Sequence, residues 1–346
     1  TIAAGRVATV GTADHLFTAS GKLTLTGGSG GSAADGLGGA LELRGRAVDV
    51  AGRIETAAGQ LTLAATGSDA GTDHVTLRRG AQLAADGVKA AFADTAADAP
   101  AGRITLKAAS GNVEVDAGAL VSVAASDGGD AGTLALIARQ GTVAAAAGSL
   151  RGTAGAGSGQ ATLQVDARTV ALDTLADAVV ETRADGSQRH HFTGTWDLRR
   201  RVGDLVLAAA KEIQAATVRL AADAGDIDLG GSIDASGAKG GRIELYANRA
   251  AVDGAAARGG QVLLRAGSSL KANATAVVGS GQGTAGEGGT VIVGVSASAA
   301  ADEGATGIHL AGASSDAAAA RIDVAPAVGS AAARGRVIFS APRQDT

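Results

Sequence analysis

GRITLKAASGNVEV, residues 102–115, is two short phrases built to one pattern. Each opens on Gly and then alternates polar and apolar residues: Gly102-Arg103-Ile104-Thr105-Leu106, then Gly111-Asn112-Val113-Glu114-Val115. Strict alternation places Ile104 and Leu106 on one face of a strand and Arg103 and Thr105 on the other. The same phrase, Gly-x-Φ-x-Φ with Φ aliphatic, recurs along the chain. It appears as GKLTL (21–25), GALEL (39–43), GQLTL (59–63), GTLAL (132–136) and GDLVL (203–207). It continues as GDIDL (225–229), GRIEL (241–245), GQVLL (260–264) and GTVIV (289–293), and closes on GRVIF (335–339). Spacings of 18 and 20 residues near the start, and of 22, 16 and 19 after residue 203, make an imperfect period near 19.

Between these phrases lie weaker ones, such as RAVDV (46–50), GTVAA (141–145) and GSIDA (231–235). Gly, Ser, Asp and Ala clusters mark the turns. Two or three short strands per period, joined at Gly-rich corners, describe one rung of a right-handed parallel β-helix. One rung cannot bury its apolar face alone, whereas stacked rungs share a continuous core. Glycines with φ > 0 suit the corners. About 15 rungs at about 4.8 Å each would make a rod on the order of 70 Å long. A β-sandwich also uses short alternating strands. The absence of a domain break and the small aliphatic core favour the helix. Residues 1–346 therefore read as a single continuous β-helix segment. Ala-rich pieces such as VAAAAG (143–148) and SDAAAAR (315–321) are too short to stand alone as helices.

Composition narrows the class. Gly is 54 of 346 residues, about twice its usual share. Phe, Tyr and Trp together number six, so the core must be made of small aliphatics. Cys is absent, which removes disulfides and thiolate metal sites. A net charge of -4 argues against a nucleic-acid partner, and no apolar run reaches the length of a membrane span. The opening residues carry no signal-peptide pattern and Met is missing, so the sequence reads as a piece of a longer polypeptide.

The stretch GGSIDASGAKGGRIELYA (230–247) resembles the shaft repeats of filamentous haemagglutinin-like adhesins of the two-partner secretion family. Gly231, Ile233, Asp234, Ala235, Ser236 and Gly237 match the first half of that repeat. Gly240, Gly241, Ile243 and Leu245 match the second half, which echoes within 279–294. The resemblance implies a large secreted bacterial surface protein whose stacked rungs project binding regions. It also implies an outer-membrane transporter as export partner, and host-cell or matrix glycans as contacts. The family's secretion-domain motif, Asn-Pro-Asn-Gly-Ile-like, is missing, and so is Arg-Gly-Asp; Arg183-Ala184-Asp185 is the nearest string. The resemblance therefore supports a shaft and carries over no binding residue.

QRHHFTGTWDLRRR, residues 188–201, interrupts the pattern. As a ligand site, Arg189, His190, His191 and Arg199 would grip an anionic sugar and Trp196 would stack on its ring. As structure, residues 175–201 read as a β-hairpin insertion outside the helix. Its arms would be Val179–Thr182 and His191–Trp196, its turn Asp185-Gly186, with Phe192 and Trp196 packing on the flank. Gly/Asp-rich GGSGGSAADGLGG (27–39) and SDGGDAG (126–132) lack the ninefold register of a calcium β-roll and read as turns. Asp226, Asp228, Asp234 and Glu244 occupy outward positions beside Tyr246, where a β-helical polysaccharide lyase or glycosidase would gather carboxylates. Solvated carboxylates are also the ordinary content of a wet strand face. Asn273-Ala274-Thr275 is a lone sequon. No catalytic residue, metal site or cofactor is assigned.

Overall fold

The computed structural model describes all residues except 10, 28–36, 93–94, 156, 276–285, 314–317, 329–332 and 343–346, and leaves the side chains of 91 and 92 undescribed. Most of the Gly-rich stretch 27–39, part of 315–321 and the spacer that precedes Gly288 fall outside the described residues. The described chain is all-β apart from the helix Leu172–Ala178 and a 3-10 turn at Ala300–Ala305. Its strands form parallel β-helices. They cluster into two compact units, Thr1–Val170 with Asp177–Gly194, and Ala171–Ala176 with Thr195–Thr346.

Each rung of the first unit contributes to three sheets. One is formed by Asp14–Thr18, Ala40–Gly45, Gln60–Ala65, Arg103–Ala108, Thr133–Ala145 and Thr162–Val170, in parallel register. Its inner column runs Leu41, Leu61, Ile104, Leu134, Leu163, all buried. The second sheet stacks Leu25, Val50, Leu77 and Val115. The third stacks Val7, Ile54, Leu83, Val121 and Leu150. Aliphatic over aliphatic fills these three columns, and the alternation seen in the sequence becomes the inward column.

The second unit repeats the arrangement. Trp196, Val218, Ile243, Val291 and Val337 form one column. Leu205, Ile227, Val262 and Ile308 form another, and Ile213, Ile233, Leu270 and Ile322 a third.

Stacked partners in the tightest turns are 20 to 22 residues apart, as in Ile213 with Ile233 and Trp196 with Val218. Others are longer: Leu61 and Ile104 are 43 apart because an antiparallel hairpin, Val88–Phe92 with Thr95–Ala99, lies between them. The spacing near 19 in the sequence is close to the shortest turn, but consecutive phrases often sit on different sheets. Leu23 pairs with Val48, while Leu41 pairs with Leu61.

The phrase-opening glycines owe their place mainly to close approach. Those with φ > 0 are elsewhere, for instance Gly80 and Gly118, except for Gly39, Gly203 and Gly260. A Cβ on Gly102 would run into the carbonyl oxygen of Gly59, one on Gly132 into that of Gly102, and one on Gly289 into that of Gly241. At these corners one rung's backbone lies directly on the next, and no side chain fits between them.

Candidate functional site

Residues 175–201 are not one hairpin. The antiparallel pair is confined to Val180–Thr182 and Gln188–His190, closed by a turn in which Ser187 bonds the Asp185 carboxylate and Gly186 has φ +80°. Its first arm and turn are where the sequence places them. The second arm is shorter, because Thr195–Arg200 is a rung strand paired in parallel with Thr217–Ala222. Gly194-Thr195-Trp196-Asp197-Leu198 is one more Gly-x-Φ-x-Φ phrase, with Trp in the first apolar place. Trp196 is 1% exposed and points into the core, so it is not a surface platform for a sugar ring. Phe192 is fully buried, with its ring against Gly152.

The remaining proposed residues divide between the units. In the second, exposed Arg199 donates from Nε to both carboxylate oxygens of Asp223 at 2.8–3.0 Å. In the first, Arg189 and His191 reach a groove of about 310 Å3 on the outer face of the third sheet. His190 pairs with Val180 in the hairpin and does not line that groove.

The floor of the groove is a column of outward residues, Glu55, Ala84, Ser122 and Arg151, in parallel register. Ala84 leaves the column hollow. Glu55 is buried between Arg6 and Arg53, both in ion-pair contact with it. Asp86 sits at the corner, where its Oδ1 accepts from Ser122 Oγ (2.6 Å) and Ala124 N–H (2.7 Å). Burial raises the Asp86 carboxyl above the usual carboxylate range and outweighs those two hydrogen bonds, which act the other way.

The hairpin forms the end wall. Glu181 and Arg189 are cross-strand partners. Glu181 pairs with Arg151 at 2.8 Å, and Arg189 Nη2 donates to Thr153 Oγ1 at 2.9 Å. No carboxylate among the described residues lies within ion-pair distance of Arg189. His191 is 3% exposed. Its Nδ1 accepts a long bond from Gly152 N–H (3.4 Å), which leaves the ring proton on Nε2. Nε2 stands 3.5 Å from Glu181 without making a hydrogen bond, and Arg151 Nε is likewise buried and unpartnered. Burial lowers the His191 pKa to about 4; Glu181 opposes the shift while Arg189 and Arg151 add to it. The imidazole is therefore neutral at pH 7.

The signal that sequence reading missed lies in the weaker phrases. Arg53, Glu55, Asp86, Ser122, Arg151 and Glu181 are polar residues on or beside short strands, and only register brings them together. The four outward carboxylates of the second unit do not converge. Asp226 and Asp228 flank Ile227 on one sheet, Asp234 is on another and Glu244 on the third. Asp228 pairs with Arg265, and Glu244 with Arg242. Asp234 caps Ser236 N–H, and Asp226 accepts from Gln261 N–H. Tyr246 lines a separate depression of about 240 Å3 with Asp223, Asn248 and Ser296. Asn273 of the sequon spends its Oδ1 on Ala325 N–H, tying one corner to the next.

No helix among the described residues is long and apolar enough to cross a membrane, which leaves strand-built membrane crossings unaddressed. Among the described residues no three His, Asp or Glu side chains gather as a metal set. No family model, curated protein or solved structure matches the chain.

Proposed function

We propose that this chain is a shaft segment of a large secreted bacterial surface adhesin, a stiff spacer that carries other regions outward and contributes glycan contacts of its own. The observation that carries the reading is the set of stacked inward columns in each unit, aliphatic but for Trp196. Such a stack resists bending because every rung pairs its backbone with its neighbours, and function can be added at corners without disturbing the core. The repeat phrase at 230–247 supports the adhesin family within that class. Export through an outer-membrane transporter and a place outside the cell belong to the same proposal.

Reading the coding frame outward in both directions tests it. A long frame with a secretion domain upstream and a transporter gene beside it supports the shaft. A frame that stops near Thr346 with no transporter gene overturns it.

A second reading, a polysaccharide-active enzyme, draws on one observation: Asp86, whose carboxyl burial raises above the usual range, shares a groove with Glu181, which is ion-paired to Arg151. A desolvated carboxyl beside an ion-paired one is the kind of couple that glycoside cleavage uses. Incubation with polyuronates, followed for reducing ends and unsaturated products, tests it; turnover lost in Asp86→Asn would establish it over the shaft.

A further inference from the structure

We infer that the groove of the first unit is a binding site for a single carboxylate-bearing sugar unit, whose carboxylate rests on Arg189 and whose hydroxyls bond the polar residues that line the groove. This deepens the glycan contacts of the proposed function and takes its choice of saccharides from them.

Three observations converge. First, the groove is backed by buried donors whose hydrogen bonding is incomplete. His191 and Arg151 line it, and behind that lining His191 Nε2, 3.5 Å from Glu181, and Arg151 Nε make no hydrogen bond. Second, the charges are uneven in a specific way. Glu55 is neutralised by Arg6 and Arg53, and Glu181 by Arg151, but Arg189 bonds only the Thr153 hydroxyl. One guanidinium fork is open to one planar carboxylate.

Third, the walls exclude other ligands. A single open cation, Arg189, would leave most charges of a densely sulfated chain unpaired. No Phe, Tyr or Trp is among the described lining residues and the His191 ring is buried, so a nucleobase or aryl group would find little stacking surface. What remains is donors and acceptors around the hollow at Ala84, which suits a ring bearing several hydroxyls. The groove crosses the strands Arg53–Glu55, Gln82–Ala84, Leu120–Ser122 and Leu150–Arg151. Three strand steps give about 14 Å, enough for a short saccharide.

Titration calorimetry on the full chain with digalacturonate, galactobiose and a sulfated disaccharide tests the site. Binding of digalacturonate alone is expected, weakened about tenfold or more in Arg189→Gln because a charge-assisted hydrogen bond is lost. Arg199→Gln, outside the groove, should bind as the wild type does. Equal binding of galactobiose, unchanged affinity in Arg189→Gln, or no binding to the folded protein overturns the inference, leaving the groove to solvent alone. The shaft reading is tested on the coding frame, so either can fail without the other.

Discussion

Trp196 stacks directly on Val218 in parallel register, in a column that is otherwise aliphatic. A six-aromatic chain has placed its one Trp inside a rung, 1% exposed, with Nε1 lacking a hydrogen-bond partner. Trp196→Ala should therefore cost about 3–5 kcal/mol, as expected for a large aromatic cut out of a packed core. Trp196→Phe should cost far less, under about 1.5 kcal/mol, since it keeps most of the volume and removes an unsatisfied N–H. Denaturant titration of both variants checks the order. A Trp196→Ala protein as stable as the wild type would contradict the packing.

The glycine columns make a sharper forecast. Gly102 has backbone where its Cβ would go, whereas Gly21 has nothing within 4 Å and no positive φ. Gly102→Ala should force two rungs apart and cost more than about 3 kcal/mol, or prevent folding. Gly21→Ala, which opens the same sequence phrase, should be neutral or stabilise by up to about 1 kcal/mol through the unfolded chain. Thermal melts of the two variants side by side decide it; equal effects would mean that the phrase, not the corner geometry, selects Gly.

How far the fold could be read from the sequence follows from these two cases. Ile104, Leu106, Val113 and Val115 alternate, and alternation dictates which side chains point inward. Gly marks the corners, though close packing, more than positive φ, is the reason at Gly102 and Gly132. Trp196 escapes the pattern only because the apolar class is drawn as aliphatic; admitting Trp turns GTWDL into an ordinary rung. The groove is hidden for a different reason. Arg53, Ser122, Arg151 and His191 meet only after stacking, and stacking register depends on loop lengths such as the hairpin insertion between Gly59 and Gly102. Local alternation reports in or out, and it carries no information about which rung lies next to which.

His191 should shape the acid limb of stability. Its folded pKa is about 4 against an ordinary value of 6.5, so the folded state holds it neutral where the unfolded chain takes up a proton. The contribution is complete above pH 6.5 and is lost as pH falls toward 4, with a slope no steeper than about 1.4 kcal/mol per pH unit for one proton. His191→Asn keeps an acceptor for Gly152 N–H and cannot titrate. Melts at pH 7.5 and 4.5 should show a smaller acid loss in the variant; an identical loss would place the titrating group elsewhere.

A second, lower step should come from Asp49. Partial burial works against its ionisation, but hydrogen bonds from Arg78 and Lys22 outweigh it and hold its pKa below the ordinary 3.8. Lys22 Nζ at 2.7 Å and Arg78 Nε at 3.1 Å come from the strand ends of the rungs on either side, so one carboxylate links three turns. The folded pKa is depressed, so this stability is present above pH 3.8 and disappears as pH falls through the lower folded value, beneath the His191 window. Both basic partners are about half exposed, which limits the pairs to about 1 kcal/mol and makes them salt-sensitive. Asp49→Asn should thus lower the melting temperature slightly at pH 7 and low salt, and the difference should shrink in 1 M NaCl and vanish near pH 2. A deficit that survives both conditions would mean that Asp49 contributes by packing, and that the ion ladder adds nothing to the stack.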